Sequence, residues 1–496
     1  MTPTDPGAVM RAALAARDSG RTDDGVVLVH ESLKRFPRHA GLWQVLGLLH
    51  RQRQNSAAAL HAYQTAAELN PDDPKIAHGL ARVALEAGRP AVLLFDQALG
   101  LSPSDGSILI GRAAAQVAEG NAAGAIAQLS EISSANPVWL EGLTTLARLR
   151  WAHGARNAIG AGHERAIRSM PHHLPIWLDY IKLLIHAELY GEASEVVDRA
   201  RRSTGDELAL LPYIAICASE LGQVAAADVA FRSLQGHDDV AITERHMRHL
   251  LRTGRHPQAV DLAEPWLNRP DAQQLWPYIG LAWRATGDRR RSWLEGAENM
   301  VGIYDLPFTA AILNSLAARL RELHNTRVPP LGQSVRGGTQ TDGPLFALDN
   351  PHIQAARSAI SAAVEQHVIA LDPADATHPV LAYAGIRQPI RFAGSWSVRL
   401  TAGGRHAPHT HPLGWFSSAF YVALPGGSAT AEDSGNGSLQ LGMPPEELGL
   451  PFAPTRLIEP RPGRLVLFPS TMWHGTTAFG NGERISIAFD VARPVF

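Results

Sequence analysis

Only one cysteine, Cys217, occurs in 496 residues. That excludes an intrachain disulfide framework and any zinc site of the CxxC type, and it suits a reducing compartment. The residue stands in the apolar run YIAICASEL, where a thiol serves as a small core group rather than a nucleophile. Charge is also sparse: 19% of residues are Asp, Glu, Lys or Arg, and the formal net charge is −2. Nothing in that balance argues for nucleic acid or an anionic membrane as a partner. No window approaches about 18 consecutive apolar residues, so no transmembrane helix is expected. The N-terminal stretch MTPTDPGAVMRAALAARDSG lacks an apolar run after a basic start. No secretory signal is therefore expected, and the default expectation is a cytoplasmic protein. Apolar residues make up 45%, ordinary for a globular chain, and the length leaves room for two to four domains.

Composition changes near residue 300. Ala, Leu and Arg with helical periodicity dominate before it; Gly, Pro, Ser, Val and aromatics in short runs dominate after about 390. Helices first and strands later imply separate domains rather than one interleaved sheet. The first half repeats itself. Pro37, Pro71, Pro103, Pro137 and Pro171 are spaced by 34, 32, 34 and 34 residues, with Gly20, Gly88, Gly120 and Gly154 as a second marker. In LWQVLGLLHRQRQNSAAALHAYQTAAELNPDDP, the small residues Gly47, Ala59 and Ala66 let two antiparallel helices approach. Trp43 and Tyr63 fill the space between units, and Pro71 ends the second helix. This resembles the tetratricopeptide repeat, a helix–turn–helix unit of about 34 residues. About eight units are expected over residues 1–300. Stacked pairs form a solenoid with a concave face, which implies a protein or peptide partner.

After the repeats, residues 306–325 and 351–371 predict two helices around a polar loop, VPPLGQSVRGGTQTDGPLF. The loop is rich in donors, among them Gln333, Ser334, Arg336 and Gln340, and is expected to fold over something. From Ala393 onward the runs SWSVRL, FSSAFYVAL, GSLQLG, RLVLF and RISIAFDV are separated by turn signals, which predicts a β-sandwich or barrel. His409 and His411 stand two apart at the start of a probable strand, so both imidazoles project to one side. A third histidine, His474, follows a strand and a Pro turn, and Arg484 opens the last strand.

The stretches PLGQSVRGGTQT, HAPHTHPLGWFSSAFYVALP and PGRLVLFPSTMWHGT followed by RISIAFD resemble the 2-oxoglutarate/Fe(II) oxygenases, in particular the branch found behind tetratricopeptide repeats. The resemblance implies a multidomain chain, α then α+β. The solenoid occupies 1–300, and a double-stranded β-helix (jelly-roll) domain occupies 303–496, with a helical lead-in over 303–390 and a core over 391–496. It further implies an enzyme, a dioxygenase that hydroxylates its substrate and uses Fe(II), 2-oxoglutarate and O2. Metal ligands would be His409, His411 and His474, since imidazole suits Fe(II) and three ligands leave open positions. The cosubstrate's distal carboxylate would meet Arg484, whose planar fork matches it, with Ser486 and Tyr421 beside it. Substrate would touch Trp415, Arg336 and Gln340.

This family usually has a carboxylate where His411 stands; Asp433 or Glu432 could supply one, or His411 could lie behind two histidine ligands. His406 is expected to be solvated or to support the ligands, and Trp473 to pack at the barrel mouth. A tetratricopeptide scaffold with a silent barrel and a zinc-dependent cupin hydrolase are the competing readings. An intact Arg484 disfavours the scaffold, which has no use for it.

Overall fold

The computed structural model describes residues 5–326, 328–386, 388–425 and 437–495. Helices α1 (Pro6–Asp18) to α18 (Arg290–Glu295) form the array. Among the described residues they make nine antiparallel pairs, one more than the proline spacing suggests. Local chemistry sets each boundary. At α5 (Pro74–Glu86), the Asp73 carboxylate accepts from the N–H groups of Lys75 and Ile76 at 2.8 and 3.2 Å, and Pro74 occupies the first turn. Between units, Tyr63 lies so close that a Cβ on Gly79 would come within 2.2 Å of its ring, and one on Gly47 within 2.6 Å. Trp43 donates its indole N–H to the Pro37 carbonyl, and Trp177 does the same to Pro171, both at 2.8 Å. The turn inside most pairs is closed by a glycine with positive φ, such as Gly88, Gly154 and Gly254. Gln54 and Glu188 stand at that place in two pairs, with φ of 54° and 61°.

The C-terminal domain is built on two antiparallel sheets. The larger has the order β1 (Gly302–Asp305), β7 (Arg464–Pro469), β4 (Phe416–Ala423), β9 (Arg484–Val491), β3 (Phe392–His406), β2 (Val335–Gln340). The smaller contains β6 (Arg456–Ile458), β5 (Leu439–Leu441) and β8 (His474–Thr476). One face of the large sheet carries Phe416, Phe420, Ile485 and Ile487 and packs on α19 (Ala310–Leu323) and α20 (Pro351–Ile369) through Leu316, Leu320, Ile353 and Val364. The other face meets the small sheet through Tyr421, Val466 and Phe468 against Leu439, Leu441 and Ile458. The sheets face each other as in a jelly roll and do not close into a barrel.

Strand β1 begins at Gly302 and pairs with β7, one residue ahead of the expected boundary at 303. Two expectations need correction. The polar loop contains β2, which Gly-rich composition concealed. His409 and His411 lie between β3 and β4 rather than on a strand. They keep an extended path because His409 forms a backbone bridge with His474, at 2.9 and 3.0 Å, and the His411 N–H reaches the Ser470 carbonyl at 2.9 Å.

The array grips this domain along its length. Arg357 donates to the carbonyls of Arg53 and Gln54, and Arg89 pairs with Asp349. Trp151 donates to the Pro329 carbonyl, Arg284 to those of Gly442 and Ala453, and Trp473 to that of Pro277. Trp473 therefore joins the two halves, with its ring edge-on to Tyr278.

Buried histidines make this fold acid-sensitive. His367 is 2% exposed, wedged between Tyr304 and Phe416, and burial pulls it down to about 4. Burial likewise pulls His324 to about 4. The unfolded chain takes up these protons near 6.5, the folded one only near 4. Stability is thus complete above about pH 6.5 and falls as pH drops toward 4, by about 1.4 kcal/mol per pH unit for each such histidine. The urea midpoint should drop measurably between pH 7 and pH 5; an equal midpoint at both would contradict this.

Candidate metal and carboxylate site

The cleft between the sheets brings three imidazoles together. One ring nitrogen from each of His409, His411 and His474 lies within 4.8 Å of the others. Ring centroids are 4.1 Å apart for His409 and His474, 4.9 Å for His409 and His411, and 5.4 Å for His411 and His474. Each Nδ1 is tied back: His409 to the Ala407 carbonyl at 2.9 Å, His474 to the Met472 carbonyl at 3.0 Å, and His411 to Asp490 Oδ2 at 2.9 Å. These oxygens only accept, so each Nδ1 carries the proton and each Nε2 offers a lone pair. Burial, reinforced by the neighbouring imidazoles, holds His409 and His474 well below the usual histidine range, hence neutral. Three converging imidazoles, each tied back through Nδ1, are a donor set suited to a first-row divalent metal.

Asp490 answers the missing carboxylate in a way the sequence did not suggest. It does not join the triad; its Oδ2 accepts a hydrogen bond from His411 Nδ1–H, while its Oδ1 accepts one from Ser417 Oγ at 2.6 Å. A carboxylate behind a ligating histidine raises its basicity and returns some negative charge to the site. Asp490→Asn should lower divalent-metal affinity by about 10–100-fold with the fold intact. A chelator competition assay giving unchanged affinity would remove that role. Asp433 and Glu432, the other candidates, lie outside the described residues.

A second set of polar atoms faces the same cleft. Along β9, Arg484, Ser486, Ala488 and Asp490 alternate into it. The Arg484 guanidinium is 2% exposed and donates to the Gly437 carbonyl at 2.7 Å and to Thr476 Oγ1 at 3.2 Å. Its Nε is buried without a partner, as is the Tyr421 hydroxyl. No carboxylate pairs with Arg484 among the described residues. Burial pulls Arg484 below its ordinary range and pushes the Tyr421 phenol up. A buried guanidinium without a carboxylate is costly, and its free Nε–H and the unpartnered Tyr421 hydroxyl fit a small carboxylate. Ser486, 7% exposed, lies between Arg484 and the metal side of β9.

Of the substrate residues expected, Gln340 lines the cleft. Trp415 does not. It is 2% exposed, packs in the core beneath the helices and donates to the Val380 carbonyl. The chain turns between them, with the Gly414 N–H on the His411 carbonyl at 2.9 Å, and this sends Trp415 to the opposite face from His411. Arg336 is also turned away from the cleft, toward the Gln333 carbonyl at 2.5 Å and Glu188 of the array at 3.3 Å. His406 is half-buried and has the supporting place: it lines the cleft and shares Ser334 Oγ, at 3.1 Å, with His409 Nε2, at 3.2 Å. Burial and the Arg484 charge pull it down to about 3. The hydroxyl of Ser334 thus rests on the lone pair that a metal would take, with His406 as its alternative partner. Trp396, stacked on His411 at 5.5 Å, completes the wall.

Residues 394–490 match the family model described as "Putative 2OG-Fe(II) oxygenase". Residues 10–74 and 45–92 match the tetratricopeptide repeat. No curated protein matches. Among solved structures, a tetratricopeptide repeat protein from Parabacteroides merdae is 16% identical over 48% of this chain and 96% of its own, with a TM-score of 0.30. A mutant of the O-GlcNAc transferase from Thermobaculum terrenum is 21% identical over 26% of this chain and 25% of its own, with a TM-score of 0.24. YrrB, described as a TPR protein with an unusual peptide-binding site, is 17% identical over 37% of this chain and 95% of its own, with a TM-score of 0.25.

Proposed function

From a chain in which tetratricopeptide repeats precede a 2OG-Fe(II) oxygenase domain, we propose a 2-oxoglutarate- and Fe(II)-dependent dioxygenase that hydroxylates a protein or peptide. The observation that carries this reading is the pairing, in one cleft, of a three-imidazole cluster with a buried guanidinium that lacks a carboxylate. His409, His411 and His474 would hold the iron through Nε2. When bound, iron and 2-oxoglutarate together supply the activation of dioxygen.

The residues of this chain do the rest. Asp490 and the Ala407 and Met472 carbonyls keep each ring in the ligating tautomer. Arg484 takes the distal carboxylate of 2-oxoglutarate, with Thr476, Tyr421 and Ser486 as donors beside it. Phe468 and Leu439 keep water from that end. Substrate would enter on the side of Gln333, Ser334, Gln340 and His406, and Ser334 would keep His406 as its partner if His409 Nε2 held a metal. The test is succinate formation from 2-oxoglutarate by the full chain. Formation that needs Fe(II) supports the reading; none with iron, 2-oxoglutarate and dioxygen supplied counts against it.

A further inference from the structure

The array borders the mouth of the cleft. Gln333 and Ser334 line the wall, and the residues just before them rest on α9 (Leu140–Ala152) and α11 (Leu174–His186). Trp151 donates to the Pro329 carbonyl at 2.9 Å, and a Cβ on Gly332 would come within 2.5 Å of His186 Nε2. The ends of these two helices thus form one bank of the approach. Arg148 and Lys182, 34 residues apart, take the same place in successive repeats of that bank, and both are exposed. Arg245 of α15 (Val240–Arg252) adds a third cation, and its charge, like that of Arg148, is felt at His186. Beside this bank, Arg336 and Arg405 are partners in the β2–β3 register, one position from the Val335–His406 pair.

These cations are poorly neutralised. Arg148, Lys182 and Arg405 have no ion pair among the described residues, and Arg245 is 4.0 Å from Glu220. Only Arg336 is met by a carboxylate not shared with another arginine, that of Glu188 at 3.3 Å. Glu188 occupies a turn position where the chain otherwise favours glycine, at φ 61°, a conformation unfavourable to any residue with a Cβ. Its exposed side chain places an acid on the rim at that conformational cost.

We propose that the occupant of this approach is an acidic segment of a protein substrate. Its carboxylates dock on Arg148, Lys182 and Arg245, and it displaces Glu188 from Arg336 on entering the cleft. A nucleic-acid strand fits less well, because Glu141, Glu188 and Glu244 are interspersed on the same helices and turns and would repel a backbone charged at every step. The inference names the substrate class of the oxygenase reading and rests on that reading only for the reaction after docking.

The test is fluorescence anisotropy of labelled dodecapeptides rich in Asp and Glu, in Asn and Gln, or in Lys, with the full-length chain and without turnover. The acidic peptide should bind at least roughly tenfold more tightly than the neutral one, and more weakly as salt rises. The double variant Arg148→Glu, Lys182→Glu should lose roughly tenfold or more in that affinity while Co(II) binding stays as in the parent. Glu188→Gly should bind the acidic peptide several-fold more tightly, which keeps the proposal testable if the double variant fails to fold. Binding indifferent to peptide charge, parental affinity in a folded double variant, unchanged affinity in Glu188→Gly, or tighter binding of a single-stranded oligonucleotide would each overturn the proposal. Because no turnover is needed, a failure here is separate from a failure of succinate formation.

Discussion

Arg484→Ala weakens 2-oxoglutarate binding by about two to three orders of magnitude. The guanidinium is buried, lacks a carboxylate partner and keeps Nε free. A bound carboxylate in that place is desolvated and paired, and removing one partner of such a pair costs about 3–5 kcal/mol, at about 1.4 kcal/mol for each tenfold. Metal affinity should stay near the parent value, because Arg484 is not among the converging nitrogens. Arg484→Lys should recover only part of the loss, since an ammonium lacks the planar fork. An anaerobic calorimetric titration reads all three. Parental affinity in Arg484→Ala would place the cosubstrate elsewhere.

His474→Ala abolishes tight metal binding. Loss of a partner behind a ligand already costs about 10–100-fold, so loss of the ligand itself costs at least about two orders of magnitude. His474 is also the most enclosed of the three, 7% exposed, with its backbone bridged to His409. The same change at His411 separates two arrangements: three histidines, or two histidines with His411 behind them. Its Nδ1 bond to Asp490 leaves Nε2 directed at the cluster, so the loss in His411→Ala should match that in His474→Ala. Full affinity in His411→Ala would remove it from the ligand set. Helical content by circular dichroism should be unchanged in both, because no helix contributes a ring to the cluster.

Much of this arrangement was legible in the residues. Repeat spacing revealed the helical pairs because each must bury the same stripe against its neighbours, so Pro71 and Gly88 recur where packing demands them. The strands β3, β4, β7 and β9 were legible from aromatic and branched runs, and the HxH spacing with a distal histidine located the cluster. Less legible was anything that depends on which face a residue takes after a turn. Trp415 looked close to the histidines along the chain, yet the turn at 412–414 sends it into the core. Arg336 looked like an anchor in a polar loop, yet a strand hidden by glycines points it at the array. Asp490 was within reach: the alternation from Arg484 through Ser486 and Ala488 leads straight to it, and a strand carrying an arginine into a cleft carries its i+6 residue there too. The docking of the domain along the array left little local signal, since much of it uses backbone carbonyls such as those of Pro277 and Pro329, which any sequence provides.

The most direct measurement is an anaerobic titration of 2-oxoglutarate into the full-length chain, once loaded with Fe(II) and once metal-free. The imidazole cluster and Arg484 line one cleft, so the account predicts saturable one-to-one binding that is markedly tighter with iron present. Equal affinity with and without the metal, or no binding to the loaded protein, would contradict it.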